Sequence, residues 1–137
     1  MWKCYALLAA FFAALTAILA KIGVTGINSN LATAIRTTVV LFLAWGIVLF
    51  GGSYRTIPEL SGKNLLFLSL SGAATGLSWL CYFKALDLGE VSKVAPIDKL
   101  SVVFTILLSI LFLHETADIK VLAGGALILL GSLVILW

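Results

Sequence analysis

The sequence predicts an all-α membrane protein, a polytopic bundle of five transmembrane helices. Three observations carry that prediction. Residues of the AVILMFWYC set make up 62% of the 137, with a mean hydropathy of +1.18. Charged residues make up only 11%, against about 25% in a soluble domain. Polar clusters then cut the chain into five apolar runs, each close to the roughly 20 residues that cross a bilayer as a helix.

Taken in order, the runs are 2–22, 31–50, 65–86, 94–113 and 121–137. Within lipid every backbone N–H and C=O must be satisfied inside the segment, which selects helices, and the alternation of a barrel strand is absent. The first run follows Lys3 and continues to Ala20. It is longer than the apolar part of a signal peptide and lacks a clean small-x-small cleavage site, so it reads as a retained span. Connections 23–30 and 51–64 carry Gly, Asn, Ser and Pro58; 87–93 carries Gly89 and mixed charge, and 114–120 is a polar joint. This is turn chemistry. None of these connections houses an extramembrane domain, so residues 1–137 read as one membrane domain with its termini on opposite sides.

Composition also excludes functions. A surplus of +3, spread singly, forms no basic patch for nucleic acid. Cys4 and Cys81 lie in apolar runs and read as small fillers. One His, with no CxxC or HxxxH spacing, gives no metal ligand set, and no cofactor motif is present. The absence of a nucleophile–base pair or a phosphate loop argues against an enzyme. Orientation rests on Lys/Arg bias in the loops. Lys3, Arg55, Lys63 and Lys120 fall on the amino-terminal side, and Lys21, Lys84 and Lys93 on the other. Four against three is almost no bias, which leaves a cytoplasmic amino terminus and dual insertion equally open.

Ionisable residues inside spans are costly and point to cavities or partner helices. Arg36 lies about 8 Å inside the second span and Asp98, followed by Lys99, a similar depth inside the fourth. With Lys21 and Lys84 ending the first and third spans, these residues are expected in one layer beneath one membrane face. Lys21 and Lys84 are expected to snorkel to headgroups. Arg36 is expected to pair with Asp98, because adjacent helical residues point about 100° apart and Asp98 and Lys99 should not readily neutralise each other. Ser101, Thr105 and Ser109 continue the Asp98 face, and Ser71, Thr75, Ser78 and Tyr82 form a second stripe. Such hydroxyls either line a hydrated solute route or join helices. Trp79 and Tyr82 either stack on a solute or sit at the membrane interface. Pro96 either kinks the fourth span before Asp98 or rests in its first turn.

Small residues mark helix contacts. Gly72 and Gly76 are four apart on the third span, and Ala10, Ala14 and Ala13, Ala17 give the same spacing on the first. On the last span Gly124 and Gly131, seven apart, share a face, with Gly125 adjacent; this face suits a self-association seam or packing within the chain.

Ordered motifs then bring a resemblance into view. Lys21 closes the first span, Arg36 opens the second, and Tyr82-Phe83-Lys84-Ala85-Leu86 ends the third, followed by Pro96 early in the fourth. Leu113-His114-Glu115 precedes the Gly124–Gly131 span. Across almost its whole length the chain resembles a single five-span EamA-type module of the drug/metabolite transporter superfamily. Members of that superfamily usually carry two modules of opposite orientation, so the resemblance implies one half of an inverted repeat, working as an antiparallel homodimer that holds a small organic solute. The related four-span multidrug proteins couple to protons through a Glu in their first span; here that span has no acid, and coupling would fall to Asp98 or Glu115.

Together these readings predict a transporter of a small organic metabolite or drug-like solute, moving it by alternating access in a cell membrane, the plasma membrane of a bacterium or archaeon. Arg36, Trp79, Tyr82, Asp98, Lys99, Ser101 and Thr105 are the candidate solute or coupling residues. Gly72, Gly76, Gly124, Gly125 and Gly131 are the candidate packing or dimer residues. The alternatives are a non-transporting membrane assembly subunit and a flippase for a lipid-linked sugar.

Overall fold

Asn28 shows how locally the chain decides its elements. Its side-chain Oδ1 accepts from the backbone N–H groups of Asn30 at 2.8 Å and Leu31 at 3.4 Å, starting the second helix at Ser29. The computed structural model describes residues 1–137, all of them helix, turn or short connection, with no strand. In order these are α1 (Trp2–Val24), α2 (Ser29–Phe50), a short 3₁₀ helix (Ser53–Glu59), α3 (Gly62–Leu88), α4 (Val91–Asp98), α5 (Leu100–Leu113) and α6 (Ile119–Leu136).

Five segments are long and apolar enough to cross a membrane: α1, α2, α3, α4 with α5 (Val91–Leu113), and α6. Their centres match the expected runs; the ends at residues 2, 50 and 113 coincide, the last helix stops at Leu136, and the other ends run two or three residues further. Ser61 explains one extension. Its Oγ accepts from the Asn64 N–H at 3.1 Å and begins α3 at Gly62 rather than residue 65. Gly26, at φ +82°, supplies the left-handed residue that turns the chain between α1 and α2. The connection 51–64, expected as a plain turn, instead holds the 3₁₀ helix packed against α2, where Ile57 and Leu60 meet Ala44, Trp45 and Val48 in an apolar recess.

The fourth span settles the open question about Pro96. Helix α4 starts at Val91, so Pro96 stands beyond its first turn, and the helix is interrupted two residues later. Pro lacks the N–H that would bond the carbonyl four residues back. The backbone tightens to three-residue bonds, Lys99 N–H to the Pro96 carbonyl and Val102 N–H to the Lys99 carbonyl, both 3.0 Å.

The helices gather into two compact units, Ala20–Asp87 and Met1–Leu19 with Leu88–Trp137. In the first, the buried residues are Ala20 and Val24 ending α1, Ser29, Ala32 and Thr33 opening α2, and Phe83 and Leu86 ending α3. Its core therefore lies at one end of its helices, where Lys21 Nζ donates to the Leu86 carbonyl. In the second unit α6 packs on both α4 and α5. Gly125 and Ser132 are its buried positions on α6. Small residues dominate both cores for a physical reason: lipid is as apolar as a leucine side chain, so helices associate through close backbone approach and hydrogen bonds. The large apolar side chains face outward, Phe42, Phe67, Leu107 and Phe112 among them.

Candidate functional site

Arg36 lies seven residues past the start of α2, about 10 Å along the helix. Its guanidinium carbon stands 4.1 Å from the centre of the Trp79 ring and 5.4 Å from that of Phe83. Trp79 and Phe83 are four apart on α3, so they share one face, and the buried Phe83 (3% exposed) fixes that face toward α2. Tyr82 lies within electrostatic range of the same guanidinium. Arg36, Trp79 and Tyr82, picked out separately in the sequence, therefore come together, and Phe83 joins them. Phe83 was missed because an aromatic in an apolar run carries no signal of its own; its spacing of four from Trp79 was the usable clue.

The expected partner of Arg36, Asp98, belongs to the other unit of the chain. Aromatic rings hold Arg36, and it enters no ion pair or hydrogen bond with the residues of its unit. That unit contains two carboxylates, Glu59 and Asp87. Asp87 is taken by Lys84 at 3.2 Å, and Glu59 sits in the 3₁₀ helix beyond the far end of α2. A cation inside a span costs about 2.5–3.5 kcal/mol on insertion scales. A cation–π contact returns roughly 0.5–2 kcal/mol. The rings thus offset part of the cost, and no residue of the unit accepts from the five N–H donors.

Hydroxyls extend the α2 face that carries Arg36. Ser29, Thr33 and Thr37 are spaced by four around it, a stripe the sequence reading passed over in favour of those on the third and fourth spans. Thr33 donates to the Ser29 carbonyl at 2.9 Å and Thr37 to the Thr33 carbonyl at 2.7 Å. The predicted stripes behave alike: Thr75 donates to the Ser71 carbonyl at 2.9 Å, Thr105 to that of Ser101 at 2.8 Å and Ser109 to that of Ile106 at 3.0 Å. These hydroxyl protons are spent on carbonyls of their own helices. The lysines at the helix ends have protein partners. Lys21 binds the carbonyl end of α3, where a cation complements the helix dipole, and Lys84 pairs with Asp87.

In the other unit, Asp98 and Lys99 pair with each other, Nζ to Oδ2 at 3.4 Å. This corrects the expectation that neighbours on a helix cannot. The helix is interrupted between them, and the lysine's four-carbon stem reaches back across the 100° between their Cβ directions. Behind the interruption the buried Ser132 hydroxyl donates to the Pro96 carbonyl at 3.1 Å, so α6 adds a second donor to a carbonyl that already accepts from the Lys99 N–H. Ser132 was illegible in the sequence, being one more serine in an apolar span. Ser101 and Thr105 lie on the exposed face of α5.

The glycine positions separate. A Cβ at Gly125 would stand 3.0 Å from Ile106 Cδ1, so this glycine, with Ser132 seven residues on, makes the crossing of α6 over α4 and α5. Gly72, Gly76, Gly124 and Gly131 have nothing within 4 Å of an added Cβ. The α6 face that packs within the unit is therefore the one through Gly125, and the Gly124–Gly131 face stays open.

The EamA-like transporter family model matches residues 1–137. The chain belongs to that family. An uncharacterized transporter from the cobO 3′ region of a Sinorhizobium species is 48% identical over 134 residues, covering 98% of this chain and 95% of that protein. The uncharacterized transporter YvbV of Bacillus subtilis is 42% identical over 65 residues, 47% of this chain and 21% of its own length. An uncharacterized protein of Methanocaldococcus jannaschii is 30% identical over 82 residues, 60% of each chain. No solved structure matches. This EamA-like chain is accordingly a multi-pass membrane protein of a transporter family, and that membership points to transport rather than catalysis.

Proposed function

We infer that the chain moves a small organic solute across a cell membrane by alternating access, as a homodimer of two copies inserted in opposite orientations. The observation that carries this reading is the interruption of the fourth span at Asp98–Lys99, two residues after Pro96. Irregular backbone at membrane depth is tolerated where it lines a cavity, and broken helices of inverted-repeat transporters supply both the solute site and the joint about which the halves rock. The ion pair at the interruption sits beside backbone that the Ser132 hydroxyl can hold or release. The near-even loop charge, four against three, supports insertion both ways. The Sinorhizobium relative, of which the match covers 95%, has the length of a single module. The open faces of Gly124 and Gly131 on α6 and of Gly72 and Gly76 on α3 are surfaces a second copy can approach closely.

Flux into proteoliposomes tests the transport reading. Purified chain should exchange solute across the bilayer, and Asp98→Asn and Lys99→Ala should each abolish exchange while leaving the dimer intact on size exclusion. Flux that survives both variants overturns the role given to the interruption. Topology is tested by replacing Cys4 and Cys81 with Ser, placing a single cysteine by Trp137→Cys and labelling from each side of intact cells. Labelling from both sides is expected; labelling from one side alone contradicts the antiparallel arrangement.

A further inference from the structure

We propose that the Arg36 cluster receives a carboxylate borne by a soluble organic solute, which names the substrate class for the transport reading above and rests on it. Charge distribution gives the first argument. Residues Ala20–Asp87 hold five cations (Lys21, Arg36, Arg55, Lys63 and Lys84) against two carboxylates (Glu59 and Asp87), a net +3. The remaining residues hold four of each sign. The whole surplus of the chain therefore falls in the unit that contains Arg36.

Donor chemistry gives the second. Within that unit the guanidinium has ring partners and no acceptor, while Lys84 is matched to Asp87 at 3.2 Å. A ring face satisfies charge but accepts no in-plane N–H bond, so the fork that pairs with planar oxyanions keeps its donors. The flanking Thr33 and Thr37 have already given their protons to backbone carbonyls and offer lone pairs only. The charge of the cluster is then that of one guanidinium. In a low-dielectric surrounding that matches a monoanion; a phosphate dianion would carry a negative charge left without a partner. A planar carboxylate meets both the charge and the fork.

The full chain in detergent or nanodiscs, titrated with benzoate and followed by tryptophan fluorescence and thermal shift, tests this. Acetate and pyruvate extend the series, and benzamide serves as the uncharged isostere. Saturable binding is expected for at least one carboxylate, with at least tenfold weaker binding of the amide. Arg36→Gln should weaken carboxylate binding at least tenfold and Arg36→Lys should recover part of it. The acid-to-amide comparison needs no variant and so stands even if Arg36→Gln misfolds. Equal binding of benzoate and benzamide, no carboxylate binding at all, or unchanged affinity in folded Arg36→Gln overturns the proposal. Tighter binding of inorganic phosphate, or displacement of benzoate by phosphatidylglycerol in the nanodisc, also overturns it and assigns the site to a phosphate or a lipid headgroup. Flux of neutral or cationic solutes without carboxylate binding sinks this inference and spares the transport reading. Carboxylate binding without flux of any solute does the reverse.

Discussion

The two units of this chain treat charge in opposite ways. In residues 1–19 and 88–137 the signs balance, and the intramembrane acid closes on its neighbour, Asp98 on Lys99 at 3.4 Å. Lys93 likewise meets Glu90 at 3.2 Å. In residues 20–87 the balance is +3, and Arg36 is cushioned on Trp79 and Phe83 without a carboxylate from its unit. An ionised side chain in a span is either neutralised on the spot or held charged by rings that take none of its N–H donors, and the second arrangement is the one proposed to meet the solute's carboxylate. The sequence marks both kinds alike; their neighbours in space tell them apart.

This contrast is broken most decisively by stability measurements on neutralised variants. Asp98→Asn strands Lys99, and loss of one member of a pair within lipid should cost roughly 2 kcal/mol or more, read as a lower midpoint of thermal unfolding in detergent. Arg36→Met strands nothing and should leave that midpoint no lower than wild type, although transport is lost. Should Arg36→Met destabilise as much as Asp98→Asn, Arg36 is a structural charge and the distinction between the units falls.

The glycines sharpen the comparison next. Gly125→Leu overfills the crossing at Ile106 and should cost about 1–3 kcal/mol, whereas Gly124→Leu enters open space and should leave the monomer's stability unchanged. If Gly124→Leu instead converts dimer to monomer on size exclusion, its open face is the seam between copies.

Coupling across the interruption is expected to be smaller. In a double-mutant cycle Asp98→Asn with Lys99→Gln should recover about 1 kcal/mol relative to the summed single changes. The pair is 38% and 54% exposed, which limits the gain. Smallest of all is Ser132→Ala. Removing one hydroxyl from the Pro96 carbonyl should cost about 1 kcal/mol, and a tight α6 repacking that leaves the unfolding midpoint unchanged would show that the bond does not hold the interruption.

Most of the fold was legible because lipid imposes a coarse rule: a long apolar run must be a helix, and five such runs are written openly between polar clusters. Details set by a single hydroxyl were not. Ser61 extends α3, and Ser132 reaches a proline carbonyl 36 residues away; neither differs in sequence from a serine that does nothing. The site was half legible. Arg36 and Asp98 announce themselves as charges at depth, but charge alone does not choose a partner: the reach of Lys99 back to Asp98 and the ring face that α3 offers Arg36 are not written in residue type. On α6, Gly124 and Gly125 are adjacent and both belong to seven-residue spacings, one ending at Gly131 and the other at Ser132, and residue type alone does not say which spacing packs within the chain.

Arg36 carries the account, and counterflow of labelled benzoate in proteoliposomes addresses it most directly. With wild-type chain, internal benzoate should drive uptake well above that of empty liposomes, and Arg36→Gln of unchanged unfolding midpoint should fall to the empty-liposome rate. Uptake by folded Arg36→Gln at the wild-type rate would show that the solute never meets this guanidinium.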